Sequence, residues 1–145
     1  MKVNTPTETV LYTIEQAIKT YRKFCQINIG KKIEDITVDQ TLTLILIHKY
    51  PKLNQKELAG LVFKDYASIT RIIELLVKKG YLERTINESD RRRFKLAITS
   101  KGNKVIDELT PTIEYNRNTA LAGLSDNDLL QLQSTLEKII SNCTL

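Results

Sequence analysis

The chain is poor in the residue types that do chemistry at protein sites. Of its 145 residues one is histidine, His48, and two are cysteine, Cys25 and Cys143, near opposite ends. Two distant thiols make neither a disulfide framework nor a metal cluster, and they suit a reducing compartment. There is no phosphate-binding Gly loop, metal-ligand cluster or nucleophile motif, so catalysis is not expected and no cofactor is implied. His48 stands inside the apolar run LILIHKY, which predicts a core or interface residue, not a catalyst. No apolar run approaches the ~18–20 residues of a membrane span. The opening MKVNTPTETV lacks the apolar block of a signal peptide. The expected location is therefore cytoplasmic, with no membrane partner.

What the chain does have is positive charge in one place. Its length fits one domain, long enough to bury about two-thirds of its unfolded surface. The formal net charge is +5. Between Lys64 and Lys104 eleven basic residues stand against five acidic ones, a balance of +6; the remainder, with eleven basic and twelve acidic residues, nets −1. All of the excess lies in one contiguous segment. That is the pattern of a polyanion-binding surface, nucleic acid before membrane.

Local signals divide the chain into helices and one hairpin. Thr5, Pro6 and Glu8 read as an N-cap, a first helical proline and a capping box. The helix they open carries an apolar stripe through Val10, Ile14, Ile18, Tyr21 and Cys25, and Gly30 is expected to end it. Thr37 and Gln40 cap a second helix, apolar nearly all round from Leu42 to Ile47 and stopped by Pro51. Asn54 with Glu57 starts a short third helix. Asp65 starts a fourth, ending at Gly80, with Ile69, Ile72, Ile73, Leu76 and Val77 as its stripe and Ser68, Thr70, Arg71, Glu74 and Lys78 opposite. Two helices joined by a tight turn, the second with one apolar and one polar-cationic face, spell helix-turn-helix. Tyr81 to Ile86 and Phe94 to Thr99 alternate with period two and predict a β-hairpin with a long tip. A long helix capped by Thr99 and disturbed by Pro111 follows, then one capped by Ser125 and Asp128.

These pieces, in this order, resemble the MarR family (multiple antibiotic resistance regulators) over essentially the whole chain. QKELAGLVFKDYASITRIIELLVKKGYLER is similar to the family's helix-turn-helix, DRRRFKLAIT to its wing motif, and TSKGNKVI and AGLSDNDLLQLQSTLEKI to its last two helices. The chain departs from the pattern in two places. The strand ends Ile98-Thr99 in place of Leu-Thr, and Phe63 stands at the turn position where such motifs usually have Gly. Either the turn follows another path, or Phe63 accepts strain and packs inward.

The resemblance implies a mainly α fold with a small hairpin wing, a winged helix-turn-helix flanked by dimerisation helices. One domain would span residues 1–145, with the DNA-binding lobe at about 37–99 and dimerisation helices at about 5–30 and 100–145. It implies a homodimer, with Ile14, Ile18, Leu132, Leu136 and Ile139 packing on the second copy. Its partner would be double-stranded DNA at a pseudo-palindromic operator. The function implied is a sequence-specific transcriptional regulator, a repressor released by a small ligand. The alternative is a winged-helix module that binds protein without specific DNA binding.

On the recognition helix, Ser68, Thr70 and Arg71 suit DNA contact, Arg bidentately to guanine and Ser and Thr to either base edges or phosphates; Lys64 and Tyr66 suit phosphates. At the wing, Asp90 and Arg92 match the family's pair. Asp90 would orient the tip and Arg92 enter a narrow minor groove. Arg91 and Arg93 project the other way from an extended chain, toward flanking phosphates. No residue names the effector. Cys25 raises redox sensing, but its place on the apolar stripe favours a small buried hydrophobe.

Overall fold

The computed structural model describes residues 5–86 and 94–145. A single 3₁₀ turn, Pro6–Glu8, precedes helix α1 (Val10–Lys32); α2 (Val38–Lys49), α3 (Gln55–Leu61) and α4 (Tyr66–Lys78) follow. The strands β1 (Leu82–Ile86) and β2 (Phe94–Ile98) pair antiparallel, with Leu82 opposite Ile98 and Arg84 opposite Leu96. Helices α5 (Ser100–Ala120) and α6 (Asp126–Cys143) complete the chain.

Caps decide where most of these helices begin. Thr37, Asn54 and Ser125 each accept the backbone N–H three residues on, while Gln40, Glu57 and Asp128 return a bond to the cap N–H. Asp65 caps α4 and Thr99 caps α5 by the same first half of that exchange. The first helix departs from expectation. Thr5 makes no capping bond, and Thr9, in extended backbone, breaks the chain after one 3₁₀ turn and caps α1 by accepting from Tyr12 N. Nor does Gly30 end α1. It lies inside the helix, which runs on to Lys32, because a glycine without a positive φ need not terminate anything.

Helix α2 is the hub. Every residue from Gln40 to Ile47 is buried or half-buried, as its all-round apolar pattern predicts. The buried hydroxyls of Thr41 and Thr43 donate to carbonyls one turn back, Thr37 O and Asp39 O. His48 is not in the core, one of its two expected places. It is exposed with Lys49 and Tyr50 in the turn where α2 leaves the core. Against α2 packs the stripe of α4, whose Ile69, Ile73 and Leu76 are fully buried. Each such side chain contributes about 1.5–3 kcal/mol by leaving water. Helix α1 crosses α5, where Asn28 donates to the buried Asn116 Oδ1 at 2.8 Å.

Helix α4 ends in a Schellman turn: Gly80 at φ 82°, with Tyr81 N donating to Leu76 O and Gly80 N to Val77 O. The turn delivers buried Tyr81 and Leu82 directly into β1. Thr99 then closes the base of the hairpin, donating from N to Tyr81 O and from Oγ1 to Gly80 O. The hairpin is thus pinned at its base between α4 and α5. Its tip, with Asp90, Arg91, Arg92 and Arg93, lies outside the described residues.

The turn between α3 and α4 resolves the question raised by Phe63. Its φ is 59°, so the backbone keeps the left-handed path and a bulky residue bears it. The side chain does not pack inward; it is 88% exposed. With almost no burial to lose, Phe63→Gly should relieve about 1–2 kcal/mol of strain against ~0.5–1 kcal/mol of glycine entropy. A small net gain in stability by chemical denaturation is expected; a loss above 1 kcal/mol would show that the ring packs.

Candidate nucleic-acid interface

Helix α4 turns its uncovered face to solvent beside the hairpin. By helical period, Ala67, Arg71, Glu74 and Lys78 form one exposed stripe, with Arg71 near its middle. Ser68 and Thr70, both half-buried, border it on opposite edges. Tyr66, 61% exposed, opens the helix. Asp65 beneath it accepts from Ser68 N at 2.7 Å, and the hydrogen bonds from Ser68 hold its carboxyl below the usual range. Four of the five residues expected near this helix therefore share one accessible surface.

The fifth, Lys64, is differently placed. Its ammonium lies 3.2 Å from Asp39 Oδ2, while Arg22 Nη2 of α1 meets Asp39 Oδ1 at 2.5 Å. An ammonium has three donors, so the pair does not use Lys64 up. The cluster runs from α1 through the first turn of α2 to the residue just before the cap of α4. Burial alone would raise the Asp39 carboxyl, but the hydrogen bonds and charges of Arg22 and Lys64 outweigh it and hold the group below its usual range. A carboxyl lowered in this way contributes its stability above the unfolded value near 3.9 and loses it as pH falls through the lower folded value. The stability difference between the wild type and Asp39→Asn should therefore stay flat at ~1 kcal/mol between pH about 5 and 8 and shrink below pH about 4. A difference unchanged at low pH would contradict the pairing.

Beside Arg22 and Asp39 opens a cleft of about 240 Å³, bordered also by Lys23, Gln26, Thr37 and Val38. Cys25 lies in the core at 7% exposure. Burial and the neighbouring Cys25 together raise the Tyr21 hydroxyl above its usual value. Among the described residues no cluster of three metal-ligating side chains occurs.

Sequence reasoning passed over two participants. Ala67 lies on the exposed stripe but carries no polar signal. Gln55, the first residue of α3, reaches across the turn and donates from Nε2 to Thr70 Oγ1. Its position directly after a capping asparagine was the only local hint.

Elsewhere, apolar surface stays uncovered. Helix α6 buries no residue within the chain: Leu130 is 70% and Ile140 63% exposed. Ile18 and Leu132 are exposed, while Ile14, Leu136 and Ile139 are half-buried. No helix among the described residues is long and apolar enough to cross a membrane.

Comparison with known proteins agrees with this architecture. The family model described as "MarR family" matches residues 36–94, from the start of α2 into the hairpin. The HTH-type transcriptional regulator BilQ of Clostridium symbiosum is 30% identical over 116 residues, spanning 80% of this chain and 79% of that protein. Among solved structures, the S. aureus MepR–DNA complex matches with a TM-score of 0.83 at 20% identity, over 97% of this chain and all of that one. CouR from Rhodococcus jostii RHA1 bound to p-coumaroyl-CoA matches with a TM-score of 0.81 at 18% identity, over 99% of both chains. The two solved structures share the fold of this chain over nearly its whole length, and the chain belongs to the MarR family of DNA-binding transcriptional regulators.

Proposed function

We propose that the protein is a cytoplasmic repressor that occupies a pseudo-palindromic operator as a homodimer and releases it when a small ligand binds. The observation that carries the DNA reading is the accessible polar-cationic face of α4, centred on Arg71 and set beside the hairpin. In this reading the first turns of α4 enter the major groove, with Arg71 donating to a guanine and Ser68 and Thr70 at its flanks. Lys64 and Tyr66 approach phosphates. Arg92 enters the adjacent minor groove, oriented by Asp90, with Arg91 and Arg93 on neighbouring phosphates. The similarity in fold to a protein solved on DNA supports this docking.

The dimer follows from the uncovered helices. Leaving α6 and the start of α1 bare would expose contiguous apolar surface of the kind that marks an interface. A second copy packing on Ile14, Ile18, Leu132, Leu136 and Ile139 removes it and sets two recognition helices about a twofold axis. Ligand release is supported by the likeness to a protein solved with a bound thioester ligand. The cleft beside Arg22 supplies a route: a ligand seated there competes for Arg22 or Asp39, and Asp39 holds Lys64 at the foot of the recognition helix.

Selection of duplexes from a random library tests the proposal. It should return two inverted half-sites centred about one helical turn, 10–10.5 base pairs, apart. A single asymmetric site, or no enrichment, would overturn the homodimeric operator reading.

A further inference from the structure

The hydroxyl of Thr70 is engaged twice, once as donor and once as acceptor. It donates its one proton to Tyr66 O at 2.8 Å and accepts from Gln55 Nε2. A threonine hydroxyl has a single proton, and with that proton on Tyr66 O the Gln55 group that meets it is the amide N–H. An intrahelical bond of this kind, alone, is easily exchanged for a bond to a ligand by rotation about χ1. Here the same rotation would break the bond from Gln55 as well. Gln55 sits on a different helix, held by the capping box of Asn54 and Glu57, so it does not follow Thr70 round.

We infer that Thr70 reads DNA through its γ-methyl group, not its hydroxyl, and that Gln55 is the residue that positions it to do so. With its proton committed, Thr70 has no donor left for a base edge or a phosphate. Its oxygen keeps one lone pair, which in the major groove can accept only from adenine N6–H or cytosine N4–H. The γ-methyl is the other group of this half-buried side chain, and the major-groove feature that a methyl recognises is the C5-methyl of thymine. The protein should therefore require a thymine at one position of each half-site. That preference is a property of the α3–α4 pair, not of α4 alone.

The inference rests on the DNA reading above, and its test separates the two. A duplex selected by the wild-type protein is synthesised with each thymine in turn replaced by deoxyuridine, which removes only the C5-methyl. Dissociation constants are measured at one fixed salt concentration. Burying one methyl group is worth about 0.8 kcal/mol, so a single replacement at the read position should weaken wild-type binding ~4-fold, and the symmetric double replacement ~15-fold. Thr70→Val, which keeps a methyl and has no hydroxyl, should show the same sensitivity. Thr70→Ser, which keeps the hydroxyl alone, should bind the thymine and deoxyuridine duplexes equally. Gln55→Met removes the lock and should reduce the thymine preference in the wild-type background while leaving it intact in Thr70→Val. A purely structural role for Gln55 would not give that dependence on background.

Thermal melting of each variant, expected within about 2 °C of wild type for such partly exposed sites, excludes loss of fold as the cause. If no thymine distinguishes wild type from Thr70→Ser, or if Thr70→Val loses affinity for the unmodified duplex as a lost hydrogen bond would require, the methyl reading is wrong while the DNA reading stands. If the wild-type protein binds no selected duplex, both fail together.

Discussion

Replacing Gly102 by alanine is expected to destabilise the protein by about 3 kcal/mol, a fall in melting temperature of roughly 10 °C for a chain of this size. Gly102 lies in the first turn of α5, where a Cβ would stand 2.3 Å from Tyr81 O and 2.7 Å from Ile98 Cγ1. Neither neighbour can yield cheaply. Tyr81 O accepts from Thr99 N, and Tyr81 N closes the Schellman turn on Leu76 O, so moving that peptide pulls on both ends of the hairpin. The accessible relief is for α5 to lift from the hairpin base, which also tilts the wing relative to α4. Weaker DNA binding should therefore accompany the loss of stability. Gly60→Ala is the control: nothing lies within 4 Å of its added Cβ, so helix propensity should make it slightly stabilising, by ~0.5–1 kcal/mol. Stabilities must be compared at equal protein concentration, since dimerisation adds a concentration-dependent term. If Gly102→Ala melted within a degree or two of wild type, the pinning of the hairpin by α5 would be wrong.

Arg71→Ala is the complementary case, in which affinity falls and stability does not. The side chain is exposed in the middle of the α4 stripe and makes no ion pair among the described residues. Removing a bidentate guanine contact costs ~1–3 kcal/mol. A twofold dimer loses it at both half-sites, so operator affinity should fall roughly 30-fold at the least and up to about 10⁴-fold. Base preference at the guanine position should disappear, with an unchanged melting curve. Arg92→Ala should instead weaken binding with a smaller loss of discrimination, because the minor groove carries a degenerate code. An Arg71→Ala protein that bound more weakly but kept its preference would move Arg71 from base to phosphate.

What could be read from the sequence was whatever depends on neighbours three or four residues apart. The boxes at Thr37/Gln40, Asn54/Glu57 and Ser125/Asp128, the cap at Asp65 and the stripe from Ile69 to Leu76 are local chemistry, and the structure has each of them. Sequence and structure part where two local solutions compete. Thr5-Pro6-Thr7-Glu8 carries every mark of a helix start, yet Thr9 offers a second cap, and the longer helix takes it. Gly30 resembles a terminator only if the backbone turns left-handed there, and it does not. Phe63 stands out in the sequence as a bulky residue at a turn, but which way its ring points depends on tertiary space.

The connections between elements were out of reach for a different reason. Arg22, Asp39 and Lys64 are 17 and 25 residues apart, and Gln55 and Thr70 are 15 apart. Each pair exists only once α1, α2, α3 and α4 have docked. The first set runs from α1, one of the helices proposed to form the dimer, to the residue before the cap of α4, and the second ties α3 to the exposed face of α4. A regulator needs that coupling, and sequence periodicity carries no record of it.

The central claim is that this surface binds duplex DNA largely through phosphates, and the dependence of affinity on salt tests it most directly. With the arginines of two wings and the lysines beside two recognition helices engaged, affinity for a selected duplex should fall ~10³- to 10⁵-fold between 50 and 200 mM salt, as expected for 6–10 phosphate contacts. An affinity that stayed flat across that range, or no duplex binding at the low-salt end, would contradict the account.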